Sequence, residues 1–153
     1  MIDERDELRL LQQAVELSSQ CPPSQTAFSV GALVTTADGV VLAEGYSREF
    51  GEAWHAEEAA LEKRARSKQA AAAAILFSSI EPCSIRKSGR PSCCSRILES
   101  GIRRVVFCLS EPPVFVECTG AETLAAHGIA VVQHNDFEAR VREINSHLLS
   151  SGR

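Results

Sequence analysis

The order of apolar and polar positions divides the chain into alternating helical and extended segments. Over residues 7–19, Leu8, Leu11 and Val15 recur at i, i+3 and i+7, with Leu10, Ala14 and Leu17 beside them. That spacing predicts one face of a helix, and Cys21-Pro22-Pro23 ends it because proline cannot continue the hydrogen-bond ladder. Two apolar runs follow, Phe28–Val34 and Val40–Ala43, joined by Ala37-Asp38-Gly39, which predicts an antiparallel hairpin. A glycine-punctuated stretch from Gly45 to Gly51 precedes a helix expected over His55–Lys68, while periodicity does not place the alanine run 70–74. Ile75-Leu76-Phe77 reads as a buried strand. Cys93–Glu99 reads as a short helix closed by Gly101, and Arg104–Leu109 as a second strand. A short helix near Glu122–Ala126, a strand over Ile129–Val132 and a helix near Phe137–Leu149 complete the pattern.

The resulting order, α-β-β-α-β-α-β-α-β-α, places a hairpin first and βαβ alternation second. Alternation of that kind implies parallel strands joined by helical crossovers. The expected fold class is a three-layer α/β/α sandwich around a mixed five-stranded sheet.

Three short motifs interrupt this framework. His55-Ala56-Glu57 stands at a predicted helix start, Glu81-Pro82-Cys83 just after a predicted strand, and Cys93-Cys94 at the next predicted helix start. One imidazole and two thiolates suit a catalytic zinc, which keeps its fourth position for water. Helix N-termini carry partial positive charge that favours thiolates. Glu57 lies two residues from His55 and is placed to act on the same water without binding the metal. A carboxylate doing general acid–base work there is worth about 10²–10⁴-fold in rate.

Composition narrows the classes. The 153 residues carry 16 Lys and Arg against 20 Asp and Glu, a net charge of −4, which disfavours a broad nucleic-acid backbone binder. No apolar run approaches the ~18 residues of a membrane span. The acidic start Met1-Ile2-Asp3-Glu4-Arg5-Asp6 has no signal-peptide pattern, so a cytoplasmic setting is expected. In that reducing compartment the six cysteines are expected to be metal ligands or free thiols rather than disulfides. Cys108 is expected to be a core thiol and Cys21 and Cys118 loop thiols. His127, His134 and His147 are expected at the surface or in packing.

The motifs resemble those of the cytidine deaminase superfamily, in which His-x-Glu is followed by a Pro-Cys and a further cysteine. More narrowly, the chain resembles the pyrimidine deaminase domain of riboflavin biosynthesis. Gly45-Tyr46-Ser47, Gly51 to Glu57, Glu81-Pro82-Cys83-Ser84, Gly89-Arg90-Pro91 and Cys93-Cys94 follow that domain's order, with its long loop between the cysteines. Likeness continues through Ser95–Val106 and Gly128–Leu149. The resemblance implies one deaminase domain over 1–153, standing without the reductase domain often fused to it. It also implies zinc held by His55, Cys83 and Cys93, Glu57 as the catalytic proton shuttle, and a homodimer or homotetramer. In the family the ligand cysteine stands eight residues before the glycine that closes the helix, which favours Cys93. Cys94 remains open as an alternative ligand.

Several positions depart from the pattern. The riboflavin-pathway domain has an asparagine in its first strand that helps hold the substrate's sugar. Here Ala27-Phe28-Ser29-Val30-Gly31 stands instead, closer to the Phe-x-Val-Gly-Ala of cytidine deaminases. Ile85-Arg86-Lys87 replaces a polar pair, and Trp54 replaces a common proline. Phe28, Trp54, Ser84, Arg86, Lys87 and Arg90 are the candidate substrate-binding residues. The basic trio among them reads either as a phosphate site or as a solvated loop. The expected activity is zinc-dependent hydrolytic removal of an exocyclic amine from a small pyrimidine-type nucleoside or nucleotide. Cytidine, its phosphates or another heterocycle remain open as substrates. A nucleic-acid editing deaminase and an inactive zinc-binding partner subunit are the rival readings.

Overall fold

A computed structural model describes residues 2–86, 89–115 and 117–149. Its elements run α1 (Glu4–Leu17), β1 (Gly31–Thr35), β2 (Val41–Tyr46), α2 (Ala56–Arg66), β3 (Ile75–Ile80), α3 (Cys93–Glu99), β4 (Arg104–Leu109), α4 (Gly120–Ala126), β5 (Ala130–Gln133) and α5 (Glu138–Ile144). The order is the expected one. Asp3 starts α1 earlier than periodicity predicts, because its side chain accepts the Asp6 N–H at 2.8 Å.

The five strands form one sheet in the order β2-β1-β3-β4-β5. β1 pairs antiparallel with β2 and β3, whereas β3–β4 and β4–β5 are parallel. The hairpin register shifts between Val34 and Thr35, whose partners are Ala43 and Val41, so Leu42 is bulged out. Strand side chains alternate between two cores. Leu33, Phe77 and Val106 pack with Leu10, Leu11 and Val15 of α1 and Val141 of α5. Ala32, Val34, Leu76 and Val105 face the opposite side, with Ala60 of α2, Ile97 of α3 and Leu124 of α4. This is the three-layer arrangement, and burial on both faces explains why Ile75-Leu76-Phe77 at the start of β3 are all apolar rather than alternating.

The first strand is shorter than expected. Phe28–Val30 lies outside the paired strand: side chains take most of its backbone groups, and the Val30 carbonyl accepts the Ser47 backbone N–H at 3.0 Å. Asn145, fully buried beyond α5, accepts the Ser29 N–H at 2.7 Å and donates to the Ser29 carbonyl at 3.1 Å. Ser47 Oγ accepts the Val30 N–H at 2.9 Å. Alanines 70–73 are not helical, and Ala74 bridges strands by donating to Thr35 and accepting from Arg103 at 2.9 Å. No helix among the described residues is long and apolar enough to cross a membrane.

Candidate active site

Helix α2 begins directly against β2. Gly45 makes this possible, since a Cβ there would sit 2.5 Å from the Ala56 carbonyl oxygen and 2.6 Å from the Ala60 nitrogen. His55 is the residue before the first turn, with extended backbone, and Glu57 lies within that turn. Glu57 is buried, with Oε2 3.4 Å from the Ser78 hydroxyl. That hydroxyl also reaches the Ile80 carbonyl at 2.6 Å, so the two oxygens share it as donor.

Cys83 follows β3 through Pro82. Gly120 lets α4 start close to this turn, because a Cβ there would lie 1.8 Å from the Pro82 carbonyl oxygen. Ser92 starts α3 by accepting the Ser95 N–H at 3.1 Å, and Cys93 opens that helix. The Cys93 N–H donates to Cys83 Sγ at 3.3 Å, and the Cys94 N–H to the Cys83 carbonyl at 3.1 Å. Two helix starts and one post-strand turn therefore converge on one point.

At that point His55 Nδ1 lies 3.6 Å from Cys83 Sγ and 3.3 Å from Cys93 Sγ. The three ligand atoms all fall within 4.8 Å of one another, and these side chains could hold a metal ion. Tetrahedral zinc with its usual Zn–S and Zn–N lengths requires N···S separations of about 3.6 Å. The chain's own spacing meets that demand. Cys94, the open alternative, points elsewhere, with Sγ 3.8 Å from the Pro82 carbonyl and 3.6 Å from the Gly120 carbonyl.

The electrostatics are those of a buried thiolate–imidazole cluster. The hydrogen bond from Cys93 pulls the Cys83 thiol down to about 4, against burial and with help from His55. The same bond, together with burial, raises Cys93. Burial opposes the charged form of His55, but the hydrogen bond and charge of Cys83 outweigh it and raise the ring. Burial pushes Glu57 up to about 7, against the attraction of His55. A carboxyl poised near neutrality can both accept and release a proton.

A cavity of about 250 Å³ opens onto His55, Glu57 and Cys83. Phe28 and Phe115 form one wall, edge to face with centroids 5.3 Å apart, and Trp54 contributes to another. Glu52 and Glu111 add carboxylates to the lining. Arg48 ties the Phe28 wall to the loop before α2. Its guanidinium donates to the Pro22 carbonyl at 2.7 and 2.9 Å, to the Phe28 carbonyl at 3.2 Å and to Ser29 Oγ at 3.0 Å. Arg48 holds φ at 64°, a costly conformation for a residue with a Cβ.

Of the candidate substrate contacts, Phe28, Trp54 and Arg86 line this cavity. Of the basic trio, Arg86 and Arg90 are ion-paired to Glu58 rather than simply solvated. The Arg86 side chain is only 3% exposed, with Nη1 3.0 Å from Glu58 and Nη2 on the Ala53 carbonyl. Arg90 pairs with Glu58 and lies over the Trp54 ring, 5.2 Å from its centroid. Ser84 sits outside the cavity, where its hydroxyl oxygen accepts the Thr119 N–H at 3.1 Å. Lys87 lies outside the described residues. Sequence reasoning misses Glu58, Arg48, Glu111 and Phe115. Glu58 reads as one more acid in a helix's first turn, and the other three carry no spacing signal.

Residues 4–109 match the family described as the cytidine and deoxycytidylate deaminase zinc-binding region. The chain is 36% identical over 128 residues to the diaminohydroxyphosphoribosylamino-pyrimidine deaminase of Schizosaccharomyces pombe, which covers 82% of this chain and 31% of that protein. It spans about a third of the length of the curated relatives it matches. Among solved structures, the Thermotoga maritima diaminohydroxyphosphoribosylaminopyrimidine deaminase/5-amino-6-(5-phosphoribosylamino)uracil reductase superposes with a TM-score of 0.75 at 28% identity, over 92% of this chain and 39% of that one. The Aspergillus oryzae Rib2 deaminase superposes with a TM-score of 0.77 at 23% identity, over 91% of this chain and 89% of that one, which extends the likeness in fold.

Proposed function

The chain belongs to the family of cytidine and deoxycytidylate deaminase zinc-binding regions, and from that premise we propose that it is a zinc-dependent hydrolytic deaminase of small aminated pyrimidines. The carrying observation is the convergence of His55 Nδ1, Cys83 Sγ and Cys93 Sγ beside the buried carboxyl of Glu57. His55, Cys83 and Cys93 are the residues that would hold zinc, beside the cavity that His55 and Cys83 line. Zinc bound there supplies Lewis acidity, which brings the pKa of water to about 7 and makes hydroxide available at neutral pH.

The remaining steps belong to the chain. Glu57 takes one proton from the attacking water and delivers it to the departing amine. The ring carbon exchanges its C–N bond for a C–O bond, and ammonia leaves. The charge of His55 and the Ser78 hydroxyl favour the ionised form of Glu57, while burial favours the protonated one. Phe28, Phe115 and Trp54 supply apolar surface for a flat heterocycle. Glu111 and Glu52 supply acceptors for ring and amino N–H groups. The cavity of about 250 Å³ has room for such a ring.

The substrate supported first is the diaminohydroxyphosphoribosylaminopyrimidine named for the Schizosaccharomyces pombe relative. A second reading, a cytidine or deoxycytidylate substrate, is favoured by Ala27 standing where the riboflavin-pathway resemblance calls for a sugar-binding asparagine, with Phe28 after it as in cytidine deaminases. An ammonia-release screen across both classes decides between them. Glu57→Gln is expected to keep one zinc per chain and lose about 10²–10⁴-fold in turnover. Wild-type turnover in that variant refutes the role of Glu57. Cys83→Ala is expected to lose zinc, and a full equivalent in that variant refutes the ligand set.

A further inference from the structure

One buried acid touches all three segments that bear the candidate metal ligands. Glu58 is 1% exposed in the first turn of α2. Its Oε1 accepts the His55 N–H at 3.2 Å and Arg86 Nη1 at 3.0 Å. Its Oε2 accepts Arg96 Nη2 at 2.8 Å and Arg90 Nη2. Arg86 stands three residues after Cys83. Arg96 stands three residues after Cys93, on the same short helix. Each candidate ligand is thus joined to this carboxylate through a short stretch of its own segment. Arg86 also donates to the Ala53 carbonyl and to the Pro91 carbonyl at 3.4 Å, which closes the long inter-cysteine loop back onto the residues before His55.

The chemistry suits a clamp. A buried carboxylate needs partners, and guanidinium–carboxylate bonds are both strong and directional. Burial alone would raise the Glu58 carboxyl, but the His55 N–H and the arginines outweigh it and hold it ionised.

We propose that Glu58 is the positioning residue of the metal site, holding the segments of His55, Cys83 and Cys93 in the arrangement that receives zinc. The inference rests on the zinc-site reading given above.

A general structural ion cluster is the competing account, and the chain contains its own comparator. Glu7 is 5% exposed and pairs with Arg104 at 2.8 Å and His134 at 2.9 Å, on the face of the sheet away from α2 and α3. A field effect is separable too. Arg96→Met removes a positive charge, which by charge alone would tighten a cation site. Loss of positioning loosens it.

The test is zinc affinity by chelator competition at fixed pH, on the full chain and on Glu58→Gln, Arg96→Met and Glu7→Gln. Glu58→Gln and Arg96→Met are expected to bind zinc about 10–100-fold more weakly. Glu7→Gln is expected to melt lower with unchanged zinc affinity. The proposal is overturned if Arg96→Met holds zinc as tightly as wild type or tighter, or if Glu7→Gln loosens zinc as much as Glu58→Gln. Should Glu58→Gln fail to fold, Arg96→Met decides alone. A wild-type chain that takes up no zinc overturns the zinc-site reading as well.

Discussion

Replacing Gly45 by alanine should damage the site without touching any of its side chains. The added Cβ would stand 2.5 Å from the Ala56 oxygen and 2.6 Å from the Ala60 nitrogen, both backbone atoms that no rotamer change can move. Restoring a contact of 3.4 Å requires the start of α2 to retreat by about 0.9 Å. Two effects on stability oppose each other. Alanine restricts the unfolded chain and stabilises by about 0.4–1 kcal/mol. Overpacking costs about 1–3 kcal/mol and should prevail. At roughly 2–4 °C per kcal/mol for a domain of this size, the melting temperature should fall by several degrees. His55 and Glu57 ride on the displaced turn, and a misplacement of about 1 Å can cost 10²-fold in rate. Calorimetry and ammonia release at saturating substrate measure the two effects separately. A variant that melts no lower than wild type and turns over at the wild-type rate would show that the Gly45 contact does not set the position of α2.

Cys94→Ala should keep a full equivalent of zinc while Cys93→Ala loses it, because the Cys94 sulfur turns toward the Pro82 and Gly120 carbonyls; metal content by atomic emission reads this directly, and the reverse result would exchange the two assignments. Glu111 offers a pH-dependent test. Burial first, then the negative charges of Cys83 and Glu57, raise its carboxyl from 4.5 to about 7. A carboxyl raised on folding favours the folded state below its unfolded pKa, and that contribution fades as pH climbs through 7. Metal-stripped protein should therefore lose up to about 3 kcal/mol between pH 4.5 and pH 8 from this group. Urea unfolding of Glu111→Gln should show a correspondingly flatter pH profile, and an unchanged slope would contradict the assignment.

Local signals carried much of the architecture. Helix α3 and strand β4 have the bounds that their residues predict, since Ser92 can start the helix, Gly101 can leave it at φ 86°, and six consecutive largely apolar residues follow. The trio that could hold a metal was legible because imidazole and thiolate chemistry is tied to residue type and spacing. What stayed hidden depends on residues distant in the chain. The extended run from Phe28 stops short of joining the sheet because Asn145 and Ser47 occupy its backbone groups. Arg86 and Arg90 read as a phosphate site or a solvated loop because their partner, Glu58, sits about 30 positions earlier on another element.

The pairing of Asn145 with Ser29 spans 116 positions and sets a time order on synthesis. All three candidate metal ligands have been made once residue 93 is added, yet the segment bearing Phe28 gains its anchor only when residue 145 follows. At roughly 5–20 residues per second, those 52 further positions take about 3–10 s. For that interval the nascent chain carries all three candidate ligands without the residue that anchors the segment behind its aromatic wall.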